Sequence, residues 1–484
     1  MTQQQSSPEV MTAEQRRLLG VVLVPVFMSL LAISSVNVIV PSIEASLGAT
    51  TSQIQWALSG YTLAFGVVLV AGGRAGDVYG RAPLFCAGVA LFAVGALFSG
   101  LAPNGWLLDV ARIVMGFGSG LLNPQTVGLI QQYFKGAARG VAFGTFGSIV
   151  GVSVAIGPVL GGALIALLGP DWGWRLTFLV NVPIAAAALV VARSWLPDSA
   201  WHGPDGPREP GARRPRPDLD PVGMGLFTAA SLLIMLAFLE IRQGPLMLLL
   251  IPVGVALLVV WVRWEKTYER RGGQPLVTMK LFATRSFANG ALIIGLYFTG
   301  VTSIWVSVAV YLQNGFGFSA LAASLIGLPS AAMTTVTSQI AGRHVFRFGR
   351  RMVAVGIGIA LVGLVGTVMV ALSHQWLGLS PWWMAIPLAL MGVAQGLVVS
   401  PNQTLTLNEV PVSYAGSAGG VLQTGQRVGT AIGIALITSV LFGVQTLHGW
   451  DFGFTAAFAL IGLMVLVSGI VALVDLRGTA RGRR

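Results

Sequence analysis

Gly73-Arg-Ala-Gly-Asp-Val-Tyr-Gly-Arg81 and Gly342-Arg-His-Val-Phe-Arg-Phe-Gly-Arg350 share one skeleton, G-R-x-x-x-x-x-G-R. The first stands between the second and third of a series of apolar runs, the second between the tenth and eleventh. A motif that returns at the equivalent joint of two six-run blocks marks an internal repeat. Two related helical bundles around a site near the bilayer midplane are a common plan for secondary transporters. The fold therefore turns on whether those runs cross a membrane.

Of 484 residues, 55% are hydrophobic and 10% charged, with a mean hydropathy of +0.79. Soluble domains carry about 25% charged residues. So few charges cannot coat so much apolar surface, and the solvent for most of the chain is lipid. A spanning helix needs about 20 mostly apolar residues. Fourteen runs qualify: 18–41, 54–73, 83–102, 106–130, 141–167, 175–193, 221–240, 244–263, 286–311, 320–340, 351–372, 381–405, 417–441 and 452–474. The even number places both termini on one side. With a cytoplasmic N-terminus, 25 of the 29 Lys and Arg residues fall in inside segments. Only Arg175 and Arg242 fall outside, and Arg112 and Arg427 fall within helices. That asymmetry sets the orientation. The net charge of +12 is then a topology signal and a contact for membrane lipid, and no nucleic-acid partner is expected.

The expected organisation is an all-α polytopic membrane protein. Residues 1–17 form a cytoplasmic tail, retained because no cleavage site follows it, and 18–193 a six-helix bundle. Residues 194–220 are a Pro- and Arg-rich cytoplasmic linker and 221–263 two extra transmembrane helices. Residues 264–285 are a second cytoplasmic linker, 286–474 a second six-helix bundle, and 475–484 a basic tail. Cys86 is the single cysteine and the four His are scattered, so neither a disulfide framework nor a metal site is expected.

In the first joint, Gly73, Gly76 and Gly80 suggest a tight backbone turn at the membrane edge. Asp77 is the only acid between Arg74 and Arg81. It is either a solvated partner of those arginines or a latch set against a helix N-terminus across the two halves. Run 5 carries Gly140, Gly144, Gly147, Gly151, Ser153, Gly157, Pro158, Gly161 and Gly162. Small residues at that spacing let two helix backbones touch in lipid, and Pro158 adds a kink.

Here the residues resemble a family. The stretch GGRAGDVYGR, ending at Arg81, resembles the major facilitator signature between helices 2 and 3. Gly144, Ser153, Gly157-Pro158 and Gly161-Gly162 resemble the helix-5 antiporter motif, with Ser153 where Gly is usual. Trp174–Pro183 and Ala415–Gly429 are similar to helices 6 and 13 of the fourteen-helix drug:proton antiporters. The resemblance implies a major facilitator fold and export of amphipathic toxins or antibiotics from a bacterial cytoplasm, across its inner membrane. The proton gradient would be the driving force, with no bound cofactor.

Arg112 lies about 9 Å along run 4 from its outer end. The resemblance maps it onto an arginine that assists proton transfer. Arginine holds its own proton, so it acts on a neighbouring acid or on a substrate anion, or it snorkels to the interface. In run 1, Asn37 and Pro41 match the family pattern, but relatives commonly carry an aspartate where this chain has Ala32. Asp109, three residues before Arg112 and on the same helix face, is the first choice of protonatable partner. Static pairing or a favourable place in the helix's first turn are its plainer readings, and Asp77 is second choice. Arg427 and Gln423 share one face of run 13 near the midplane, where they grip a polar substrate group, order water or bond neighbouring helices. Two cations and no deep acid favour a neutral, zwitterionic or anionic amphiphile over a dication. Trp56, Tyr61, Met115, Phe117, Trp305 and Tyr311 are candidate cavity contacts. No nucleotide loop or nucleophile–base pair is present, so the chain is not read as an enzyme. A monomer is expected. A proton-independent uniporter or lipid translocator is the alternative within transport, and a ligand sensor or scaffold is the alternative outside it.

Overall fold

In a computed structural model, which describes residues 11–203, 218–241 and 244–481, the chain is helical, with no strand among the described residues. The helices are α1 Ala13–Ser34, α2 Val36–Leu47, α3 Thr51–Tyr79, α4 Arg81–Gly100, α5 Gly105–Tyr133, α6 Gly136–Leu179, α7 Asn181–Trp195 and α8 Pro221–Leu239. They continue with α9 Leu250–Arg270, α10 Lys280–Ala283, α11 Arg285–Val310, α12 Ala320–Phe348, α13 Arg350–Leu377, α14 Ala385–Leu407, α15 Ala415–His448 and α16 Trp450–Arg481.

Fourteen crossings follow. The first is α1 and α2 together, bent at Ser35. The fifth and sixth meet inside α6, where Gly169 takes a left-handed φ of 80° ahead of Pro170. The chain reverses there, because Gly173 packs back on Leu164 and Ile165. The starts are set locally: Thr12 with Gln15 and Thr50 with Gln53 form capping boxes, and Asn104 and Ser319 cap α5 and α12. These bonds satisfy amides that would otherwise be orphaned.

The expected turn at Gly73–Arg81 is corrected. α3 continues through Tyr79, and only Gly80, at φ 105°, turns. The repeat behaves alike, with α12 helical to Phe348 and the turn at Gly349, φ 55°. Gly73 and Gly76 serve close approach instead. A Cβ on Gly73 would overlap the Gly416 carbonyl, and one on Gly76 the Gln125 side chain.

Two apolar cores form. One gathers Tyr61, Phe85, Phe92, Phe143 and Trp174 from α3–α6, the other Tyr297, Val353, Leu388 and Phe458 from α11–α16. Two seams join the halves. In one, Gly140 and Gly144 of α6 meet Gly342 and Ser338 of α12 backbone to backbone. Ser148 donates to the Thr335 carbonyl at 2.7 Å and Gln339 to Thr145 at 3.2 Å. In the other, Gly73 of α3 meets Gly416 of α15, and a Cβ on Gly420 would stand 2.6 Å from the Leu69 carbonyl. Past the middle of each seam the partner changes. Gly157 and Gly161 pack on Ser34, Ser35 and Ile39 of their own half, and Gly429 and Gly433 on Gly295 and Thr299 of theirs. The halves are thus clasped toward the arginine-rich face and part beyond it.

α8 packs on both α3 and α15 beside the second seam, with α9 outside it. Ser59 of α3 donates to the Glu240 carboxylate at 2.9 Å.

A side chain at Gly140 has no room, whereas the nearest atom to a Cβ on Gly162 is Val38 Cγ1 at 3.9 Å. Gly140→Val should therefore destabilise the clasped form by about 1–3 kcal/mol and Gly162→Ala should be nearly silent. Melting of the two purified variants in one detergent checks this; equal midpoints would contradict it.

Candidate functional site

The arginine-rich end of the second seam holds a polar latch. Asp77 lies on the last turn of α3 and is buried. Its Oδ1 accepts from the Gly416 amide, and its Oδ2 from the Ser417 amide and hydroxyl, each at 2.9 Å. These amides belong to the first turn of α15, so the carboxylate caps a helix of the opposite half, where the helix dipole favours a negative charge. Arg81, one turn on, pairs with Asp77 at 2.8 Å. It also donates to the Gly128 carbonyl and Gln132 within its own half and to the Val412 carbonyl across the interface.

Gln131 also bridges the halves. Its amide donates to the Leu407 and Val410 carbonyls of the other half, both at 2.8 Å. A glutamine near a helix end has no sequence signature that distinguishes this use. The repeat's second arginine behaves differently. Arg350 pairs with Asp475 at 2.8 Å and donates to Asn402 at 2.7 Å and to the Ser286 carbonyl at 2.8 Å, all within its own half. Phe346 stands in the repeat where Asp77 stands in the first copy, so only one copy makes the latch.

α5 approaches α3 closely because Gly116 and Gly120 face the Tyr61 and Phe65 carbonyls. That approach encloses Arg112, which is 2% exposed. Its Nε donates to the Ala57 carbonyl at 2.9 Å and its NH1 to the Ala32 carbonyl at 3.2 Å. Its guanidinium lies 4.4 Å from the Tyr61 ring centre and 5.7 Å from that of Phe178. Arg112 is therefore satisfied inside the first bundle by two helix carbonyls and two ring faces. The pairing with Asp109 does not form. Both Asp109 oxygens are buried without a hydrogen-bond partner among the described residues, because the guanidinium is engaged by carbonyls of α1 and α3. One of its acceptors belongs to Ala32, the position at which the resembled antiporters commonly carry an aspartate.

Arg427 is the more open cation. It is partly exposed, sits 4.3 Å over the Phe65 ring and has no hydrogen-bond partner among the described residues. One turn away, the Gln423 Nε2 is buried and also lacks an acceptor. Thr424 between them donates to the Gly66 carbonyl of α3 at 3.4 Å. Two donor groups without acceptors thus stand where the second seam ends.

The aromatic candidates are corrected in part. Phe117 points outward, 39% exposed. Met115 packs on Gly95 and Ser99 of α4. Tyr61 donates to the Ser29 carbonyl, shares a hydrogen bond with Ser119 and lies under Arg112. Tyr311 stacks on Phe454 and donates to Asp451. Those last three are bundle interior. Trp56 and Trp305 are half-buried, Trp305 against Gly327. Of the helix-5 set, Gly144 works across the seam. Ser153, Gly157 and Gly161 serve contact with α1 and α2 (Ser34 donates to the Ser153 carbonyl at 2.9 Å), while Pro158 and Gly162 are partly exposed. The Asn37 side chain lies outside the described residues.

Paired bundles of long apolar helices, clasped on one face, define a multi-pass membrane protein. The family model of the Major Facilitator Superfamily matches residues 22–434. The chain is 33% identical over 430 residues to the "Probable actinorhodin transporter" of Streptomyces coelicolor, covering 88% of this chain and 72% of that protein. It is 31% identical over 473 residues to the "Puromycin resistance protein pur8" of Streptomyces alboniger, covering 92% and 88%. The solved structure of the proton:xylose symporter XylE has the same fold, with a TM-score of 0.66 at 14% identity over 95% of each chain. The chain belongs to the major facilitator superfamily.

Asp77→Asn keeps the shape but removes the charge that Arg81 and the α15 amides share. The clasped form should lose roughly 2 kcal/mol, or about 30-fold in population. Distances between spin labels on the arginine-rich ends of α3 and α15 check this; an unchanged distribution would contradict the latch.

Proposed function

We propose that the protein exports amphipathic small molecules across a bacterial cytoplasmic membrane by alternating access, with its arginine-rich face in the cytoplasm. The unpartnered donors of Arg427 and Gln423 carry this reading. A cation near the midplane is costly unless it lines a wet or ligand-filled space, and an amphiphile with an acidic or strongly accepting group supplies what it lacks. The names of the relatives, an antibiotic transporter and a puromycin resistance protein, support an efflux role.

Export is driven by inward proton flow, and we assign the proton to Asp109. Among the described residues no counterion or donor is bonded to its buried carboxyl. A second reading, transport without protons, is favoured by Ala32 and by the engagement of Arg112 with carbonyls instead of an acid.

Everted vesicles given a fluorescent anionic amphiphile test both. Wild type should accumulate it when the lumen is acid. Asp109→Asn should lose the dependence on the gradient, and Arg427→Ala should lose at least about tenfold in uptake while melting normally. Uptake indifferent to the gradient in wild type would select the proton-free reading. Wild-type uptake by Arg427→Ala would overturn the substrate site, and binding without accumulation would mark a sensor.

A further inference from the structure

The two extra helices carry a cluster of acids that the transport reading does not use. Asp220, at the start of α8, and Glu265, near the end of α9, are both fully buried. Both carboxylates face Gly223: a Cβ there would overlap Asp220 Oδ2 and stand 2.7 Å from Glu265 Oε1. The two acids therefore share one small space, and no Lys or Arg is paired with either among the described residues.

Their surroundings differ. Asp220 is well solvated by protein. Its Oδ1 accepts from the Gly223 amide at 2.9 Å and the Trp264 indole at 2.8 Å, and its Oδ2 from the Leu276 amide at 3.4 Å. To do so it adopts φ 49°, the only left-handed non-glycine among the described residues. Such strain persists where the surroundings demand it. Neither Glu265 oxygen has a donor in hydrogen-bonding geometry. The Trp261 indole and the Leu276 and Val277 amides stand nearby, beyond that geometry. A second buried charge, undonated and beside a first, is strongly unfavourable, and a shared proton removes it.

The cluster is wired to the latch. Asp218 accepts from Tyr268 and from the Gln274 amide, both at 2.7 Å. Burial pushes the Asp218 carboxyl up, but those bonds, the Asp220 amide and the charge of Arg74 outweigh it and hold it below the usual carboxylate range. Arg74 of α3 donates to the Asp218 carbonyl at 3.0 Å and to the Gln274 side chain at 3.0 Å. It stands one turn before Asp77. Among the described residues, Glu269 and Lys280 beside it pair with each other at 3.0 Å.

We propose that Glu265 is a proton-binding site on the arginine-rich face, and that its proton holds the extra helices against Arg74 and so keeps the latch shut. Loss of the proton sets Glu265 against Asp220. The α8 start, the α9 end and segment 274–277 then separate, Arg74 loses its tether, and the halves open on that face. Proton release accompanies opening, so raising the pH favours the open form. The inference goes beyond the export reading and does not depend on the substrate or on the ion that drives transport.

The test is electron–electron distance measurement on purified full-length protein in nanodiscs, with labels at Lys135→Cys and Arg343→Cys, both exposed, in a Cys86→Ser background. In the parent, raising the pH from about 6 to about 9 should increase the long-distance population at least about tenfold relative to the short one. Glu265→Gln, which mimics the protonated acid, should stay short throughout. Asp220→Asn, which removes the opposing charge, should extend the short form to higher pH, and it serves if the glutamine variant does not fold. A parent insensitive to pH, or a Glu265→Gln protein that titrates like the parent, overturns the proposal.

Discussion

A single buried carboxylate, Asp77, caps the first turn of α15 across the interface between the two bundles. Its three acceptor bonds and its pairing with Arg81 gather the ends of α3, α5 and α15 at one place. The buried α15 amides need an acceptor and the buried arginine needs an anion. One group meets both needs, but only while the halves are clasped. The glycine seams follow from the same geometry. Gly73 and Gly416 must touch if Asp77 is to reach the α15 amides, and Gly140 and Gly342 keep the second seam equally close. The clasp is thus built from close backbone contacts and a buried, fully bonded carboxylate.

The two copies of the repeated motif have divergent tasks. The first sends its arginine and its acid across the interface. The second keeps Arg350 at home, bound to Asp475, Asn402 and Ser286, and has Phe346 in the place of the acid. One half therefore carries the catch while the other receives it on the first turn of α15. The extra helices lie beside the catch and not at a distance from it, with α8 on both α3 and α15 and Arg74 bonded to the segments around Asp218.

Much of this is legible in the amino-acid order, for physical reasons. Spanning runs and basic loops are one-dimensional signals, and a lone acid among glycines and arginines points to a specific partner. What depends on helix rotation is not legible in the same way. Met115 and Phe117 are two residues apart, yet one packs on α4 and the other faces outward. Arg112 and Asp109 share a helix face but not a bond, because the acceptors of Arg112 are the carbonyls of Ala32 and Ala57, and every residue has a carbonyl. The turn expected over Gly73–Arg81 shrank to Gly80 because glycine permits close packing as readily as it permits turning. Glu265 and Asp220 lie far apart in sequence and meet only through the pairing of α8 and α9.

Under the proposed alternating access, both seams part in every cycle. Thr145 of α6 and Gln339 of α12 are bonded at 3.2 Å across one of them. Cysteines at these two positions, in a Cys86→Ser background, would lock that seam when oxidised. The account predicts that oxidised protein in vesicles moves no substrate and that reduction restores the parent rate. Transport at the parent rate by fully cross-linked protein would contradict it.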